Sequence, residues 1–179
     1  LTAFGMTRRP GHSAANDPGL NSLLNSTANT ICIVGKSSSF QVKAALNISE
    51  NENLEMIKDS IEEIIKKKKE PIFDAEHFFD GFKEDKEVSY QILDSVINEG
   101  IDCFIFCDTN GGTLPSEVTS ILSEVINKYP EQQFGVHFQN DNGCAVQNSM
   151  SAVDLGINHV QGTMNGYGER TGNADLCTL

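Results

Sequence analysis

Six short apolar runs punctuate the chain, at Leu1–Phe4, Thr30–Val34, Pro71–Ala75, Cys103–Cys107, Phe134–Phe138 and His159–Thr163. Most are dense in Ile, Val, Phe or Cys and too short for helices, which predicts buried strands. Between them the apolar spacing changes to that of a helix. Leu54, Ile57, Ile61, Ile64 and Ile65 form one stripe behind a start signal near Ser49. Val88, Ile92, Val96 and Ile97 form a second. Val118, Ile121, Leu122, Val125 and Ile126 form a third, with Pro115 in the first turn, where its missing N–H costs nothing. Ala145, Val146, Ser149, Ala152 and Val153 form a fourth that ends near Gly156. The Asn- and Ser-rich stretch from Asn16 to Asn29 reads as a loop with a turn of helix.

Strands alternating with helices imply right-handed βαβ units and a parallel sheet. Two architectures compete, an open doubly wound sheet and a (β/α)8 barrel. Polar residues stand at the C-terminal ends of successive strands: Lys36, then Asp74 and Glu76, Asp108 and Thr109, His137 and Asp141, and Asn165. A ring of this kind suits a barrel, whose site is assembled from many strand ends. An open sheet concentrates them at one switch point. Six units are countable, and a whole barrel takes about 250 residues. The expectation is α/β: a partial TIM barrel of about six of eight β/α units. Residues 1–179 would then be the C-terminal three-quarters of a single catalytic domain, with strands one and two upstream.

Composition narrows the partners. Hydrophobic residues make up 39% and charged residues 21% of the 179, an ordinary composition for one packed core. No apolar run approaches the roughly 18 residues of a spanning helix, and LTAFGMTRRPGHS shows no leader pattern. A net charge of −12 argues against nucleic acid and anionic membrane as partners. The basic run Lys66 to Lys69 closes an acidic helix and is expected to face solvent. Three of the five cysteines lie in or beside apolar runs, which suits buried free thiols in a reducing cytoplasm. Cys103 and Cys107 lack the second pair that a zinc site needs.

Four strand-end motifs carry candidate chemistry. In F-D-A-E-H-F-F-D-G, residues 73–81, Asp74 and Glu76 project to one face. Glu76 is a candidate general acid or base with His77 and Asp80 in support; a polar strand end with helix-capping duty is the plainer reading. In C-D-T-N-G-G, residues 107–112, Thr109 is placed to hold a substrate carboxylate, although the segment is also a sound turn. In H-F-Q-N-D-N-G, residues 137–143, His137 and Gln139 share a strand face. A His-x-His pair there would signal metal; a lone histidine serves equally as a hydrogen-bonded structural residue. In N-G-Y-G-E-R-T-G-N-A, residues 165–174, the glycines fit no nucleotide fingerprint. Glu169 and Arg170 are expected to support that loop, leaving Asn173 as an oxygen donor.

Taken in order, A-F-G-M-T-R-R, I-V-G-K-S, F-D-A-E-H-F-F-D-G, C-D-T-N-G-G-T-L-P, H-x-x-N-D and V-Q-G-T-M-N-G-Y-G-E-R-T-G-N-A resemble the α-isopropylmalate/homocitrate synthase family of the DRE-TIM metallolyase superfamily, and within it the citramalate synthase-like branch. The resemblance runs from Leu1 to Leu179. It implies a cytoplasmic acyltransferase of isoleucine or leucine biosynthesis that condenses acetyl-CoA with a 2-oxo acid on a divalent metal ion (Zn, Mn or Mg). Pyruvate is the expected 2-oxo acid, 2-oxoisovalerate its rival, and a homodimer the expected full-length assembly. The resemblance makes His137 a metal ligand with Asn173 beside it, Thr109 and Asp74 substrate-binding, and Glu76 the catalytic carboxylate. Two positions depart from the family. Gln139 stands where a second ligand histidine is expected, and Gln41 also replaces a histidine. The family's strand-one Arg-Asp pair does not occur in this stretch. These departures raise a second reading, a non-catalytic or decayed relative.

Overall fold

A computed structural model describes residues 1–179. Its strands are β1 (Thr2–Met6), β2 (Thr30–Lys36), β3 (Glu70–Glu76), β4 (Cys103–Asp108), β5 (Phe134–Phe138) and β6 (His159–Gln161). They pair in parallel in the order β1-β2-β3-β4-β5-β6. A strand order with no reversal has no switch point, which removes the doubly wound alternative. The sheet is also strongly curved. Gln161 on β6 donates to Asp74 on β3 at 2.9 Å, although strands three apart in a flat sheet lie about 14 Å from one another. The fold is a partial barrel.

The helices are α1 (Pro18–Leu24), α2 (Ser39–Gln41), α3 (Glu50–Lys66), α4 (Phe78–Glu84), α5 (Lys86–Asn98), α6 (Pro115–Lys128) and α7 (Ala145–Asp154), with a π-helical segment at Val42–Leu46. Ser49 caps α3 by accepting the Glu52 N–H, as its position before the apolar stripe predicts. Ile57, Ile61 and Ile64 then bury one face of α3 completely, each contributing about 1.5–3 kcal/mol relative to exposure. On the convex side of the sheet, phenylalanines weld helices to strands. Phe78 of α4 packs edge-on at 4.8 Å from Phe106, which lies 5.0 Å from Phe134. Alternate residues of β4 face the other way, where Cys103, Ile105 and Cys107 form a small separate cluster with Ile72. All five cysteines are free thiols.

Several expectations need correction. Helix α4 lies inside a motif whose reading goes no further than a strand end with helix-capping duty. Its seven residues are too few to show a period, and Gly81 sits in its middle. Ile65 and Val153 were placed on buried stripes yet are exposed, because a 3.6-residue repeat carries the outermost member of each stripe round to solvent. Lys69 does not face solvent freely; its ammonium donates to the carbonyls of Ser26 and Ala28. Strands β1, β2, β3 and β4 run one or two residues beyond their apolar runs, since ladder hydrogen bonds need no particular side chain.

Both outer strands lack a second neighbour, and Phe4 and Met6 on β1 are exposed. Such edges recruit other chains. The isolated chain is expected to self-associate in light scattering, and Phe4→Lys should reduce that association. A monodisperse wild-type monomer would contradict the expectation.

Candidate active site at the strand ends

Lys36 and Glu76 occupy paired positions in the β2–β3 register, so their side chains emerge together where the strands stop. The Lys36 ammonium lies 2.6 Å from the Glu76 carboxylate. The chain then turns sharply into α4 through His77, whose φ of 63° is left-handed. A non-glycine residue there is strained by order 1–3 kcal/mol and tends to mark functional geometry. The strain is offset by contacts. The His77 N–H donates to Thr109 Oγ1 at 2.8 Å, and because the hydroxyl accepts that bond its own hydrogen is left to donate outward. The His77 ring lies 3.6 Å from Asp80 and 3.9 Å from Glu76. The His77 ring, followed by Lys83 and an Asn110 amide bond of 2.7 Å, holds the Asp80 carboxyl below its ordinary range despite partial burial. A cavity of about 380 Å³ opens beside this group, lined by Phe40, Gln41, His77, Asp80 and Asn110 among others.

Across the mouth, residues 165–174 are stitched to the end of β5. The Asn140 N–H donates to Gly172 O at 2.8 Å, the Ala174 N–H donates to Phe138 O at 3.2 Å, and Gln139 pairs with Asn173 in an antiparallel bridge. Asn173 Nδ2 donates to the Tyr167 carbonyl at 3.1 Å. Arg170, itself left-handed at φ 52°, reaches Asp141 at 2.8 and 3.0 Å and the Thr109 carbonyl at 2.8 Å. It ties the β4, β5 and β6 ends into one rim, and it holds the Asp141 carboxyl below its usual range. Glu169 stays exposed, 3.6 Å from Arg170. Asp108 points away from the mouth and accepts the Thr113 N–H at 3.0 Å, closing the C-D-T-N-G-G turn.

Asp74 shares the face of Glu76 but sits one layer deeper, 5% exposed. Its Oδ1 accepts from the Cys32 thiol at 3.1 Å and from the Gln161 amide at 2.9 Å. Burial pushes its carboxyl up; those two hydrogen bonds and the nearby His137 and His159 oppose the shift. Burial likewise pushes the Cys32 thiol far up, so it stays a donor. Gln161 Oε1 in turn meets His137 Nδ1 at 2.8 Å.

Two amide oxygens near the Gln139–Asn173 bridge, Gln139 Oε1 and Asn173 Oδ1, are buried without a protein partner. An unpaired buried carbonyl costs about 1–3 kcal/mol, a cost that coordination to a cation relieves. With His137 engaged through Nδ1, Nε2 is the nitrogen left to ligate. The donor set of two neutral oxygens and one imidazole suits a hard divalent ion such as Mg²⁺ or Mn²⁺ better than Zn²⁺. No cluster of three or more His, Cys, Asp or Glu side chains stands ready for a metal. Sequence reasoning placed Glu76, Thr109, His137, Gln139 and Asn173 on one rim but missed Gln161, whose side chain matters only once the sheet curves. Lys36, two residues past its apolar run, and Glu76, one past its own, were both named, but their pairing emerges only from the β2–β3 register.

Residues 10–179 match the HMGL-like family. The chain is 45% identical over 179 residues to the (R)-citramalate synthase of Aquifex aeolicus, covering 100% of this chain and 34% of that protein. It is 34% identical over 142 residues to the 2-isopropylmalate synthase of Buchnera aphidicola subsp. Cinara cedri, covering 78% of this chain and 27% of that protein. The chain thus spans about a third of the length of the curated relatives it matches. The crystal structure of the Bacillus subtilis HMG-CoA lyase superposes with a TM-score of 0.82 at 22% identity, over 97% of this chain and 58% of the lyase. At that identity the likeness speaks for the fold alone.

Proposed function

Because the chain belongs to the HMGL-like family, we propose that residues 1–179 are the C-terminal three-quarters of the catalytic barrel of a citramalate synthase, an acyltransferase joining the methyl carbon of acetyl-CoA to the carbonyl carbon of pyruvate. One observation carries the choice of substrate: similarity to a citramalate synthase runs the whole length of the chain, whereas similarity to the 2-isopropylmalate synthase covers 78% of it. The full-length protein is a cytoplasmic homodimer in this reading; no helix of the chain is long and apolar enough to cross a membrane.

The rim supplies the parts of the reaction. Thr109 Oγ1, already accepting from the His77 N–H, donates its hydrogen to the carboxylate of the 2-oxo acid. Glu76 takes a proton from the thioester methyl group, and the carbon so freed bonds to the 2-oxo carbonyl carbon. Lys36, 2.6 Å from Glu76, fixes the direction of that carboxylate. The new alkoxide takes up the proton that Glu76 now carries; water then cleaves the thioester, its oxygen bonding to the acyl carbon as the carbon–sulfur bond breaks and CoA leaves as the thiol. His137, Gln139 and Asn173 would hold a divalent cation, which when bound polarises the 2-oxo carbonyl as a Lewis acid.

The test is CoA release by the full-length protein with pyruvate against 2-oxoisovalerate. Preference for pyruvate is expected. Preference for 2-oxoisovalerate would make the protein a 2-isopropylmalate synthase, and no release with either would favour the non-catalytic relative that Gln139 suggests. Gln139→His should tighten Zn²⁺ binding by at least about 10-fold, the lower bound for changes around a metal, as read by calorimetry. No gain would remove position 139 from the coordination shell.

A further inference from the structure

Three side chains link across the hollow of the sheet, from a buried carboxylate up to the rim. Asp74 on β3, Gln161 on β6 and His137 on β5 form a line of two hydrogen bonds, 2.9 Å from Gln161 Nε2 to Asp74 Oδ1 and 2.8 Å from Gln161 Oε1 to His137 Nδ1. The direction of the line is set at its buried end. Asp74 Oδ1 also accepts the Cys32 thiol hydrogen at 3.1 Å, so two donors converge on one carboxylate oxygen. An amide facing that oxygen must present its NH₂, which turns the carbonyl of Gln161 toward His137. A carbonyl oxygen can only accept, so Nδ1 must carry the hydrogen.

We propose that Gln161, anchored by Asp74, is a positioning residue that fixes His137 in the Nδ1–H tautomer and aims Nε2 at the rim. Neutral imidazole free in water prefers the opposite tautomer, so the bond has a state to select. Gly135 keeps the hollow open for this line. It faces the interior between Ile105 and His159, and a Cβ there would lie 2.4 Å from Ile105 Cδ1 and 3.0 Å from His159 Cβ. The inference deepens the proposed function, since it rests on His137 as a cation ligand through Nε2. Partners on the far nitrogen of a ligating histidine set its tautomer and ring plane.

The experiment uses ¹⁵N-labelled full-length protein without metal, with His137→Ala to assign the resonances. Long-range proton–nitrogen correlation should show His137 protonated at Nδ1 and bare at Nε2. In Gln161→Leu the preference should reverse or average. In the isosteric Asp74→Asn it should weaken, because an asparagine amide can donate as well as accept and so lets Gln161 flip. Mn²⁺ affinity by calorimetry should fall about 10- to 100-fold in Gln161→Leu. A wild-type His137 protonated at Nε2, or a pattern unchanged in Gln161→Leu, overturns the proposal. If His137→Ala binds Mn²⁺ as tightly as wild type, the cation reading of the rim fails instead, and the tautomer spectrum still decides the role of Gln161.

Discussion

Glu76→Gln should lower the rate of CoA release by about 10²- to 10⁴-fold, the usual contribution of a positioned general base, while leaving pyruvate binding nearly unchanged. The amide keeps the volume and can still accept a hydrogen bond from Lys36, but it cannot remove a proton from carbon. In the proposed function the 2-oxo acid binds through Thr109, whose hydroxyl is held by the His77 N–H at 2.8 Å. The loss should therefore appear in kcat and not in the KM for pyruvate. Glu76→Asp should recover part of the rate, limited by one missing methylene. A loss smaller than about tenfold for Glu76→Gln would place the proton acceptor elsewhere, below the range a general base supplies.

Gly81→Ala is expected to destabilise the chain by about 1–3 kcal/mol, the range for overpacking a filled site. A Cβ at position 81 would sit 2.0 Å from the Ser37 carbonyl oxygen, 2.9 Å from Ser37 C and 3.0 Å from Ser38 Cα. All three are backbone atoms and cannot swing aside like a side-chain tip. The Ser37 N–H is itself pinned to Glu76 O at 2.8 Å, and Ser38 Oγ donates to Glu84 at 2.9 Å. Either α4 or the segment after β2 must shift, carrying His77 with it. For a chain of this size each kcal/mol moves Tm by about 2–4 °C, so a drop of roughly 2–12 °C is expected in a thermal melt. Gly112→Ala is the control, since nothing lies within 4 Å of its added Cβ. Equal melting of the two variants would show that the close approach at Gly81 relaxes freely.

How far sequence alone reached depended on what kind of fact was asked of it. The run Phe134–Phe138 is a strand with those bounds, because its buried side chains and its ladder coincide. Helix α4 was invisible, since Phe78, Phe79 and Phe82 in seven residues pack into a phenylalanine cluster without a countable period. Positions on strand ends were readable through alternation, which puts Asp74 under Glu76 on the same face. Depth was not. Nothing in the spacing says that Asp74 is walled in by Cys32 and Gln161 while Glu76 meets Lys36 at the rim. The pairing of Gln139 with Asn173 joins residues 34 positions apart through a loop with no apolar pattern, so only the folded chain reveals it.

The loop that carries Asn173 also carries an optical label. The chain has no tryptophan and three tyrosines. Tyr90 on α5 and Tyr129 just past the end of α6 sit together, ring centroids 6.4 Å apart, and donate their phenol hydrogens to Glu124 and Asp94 respectively. A phenol bonded to a carboxylate emits weakly. Tyr167, 76% exposed, has its backbone carbonyl held by Asn173. Near-ultraviolet emission of the unlabelled protein is thus weighted toward one residue on the candidate-site loop, and in the proposed function the arrival of cation or substrate at the rim can be followed by the protein's own light.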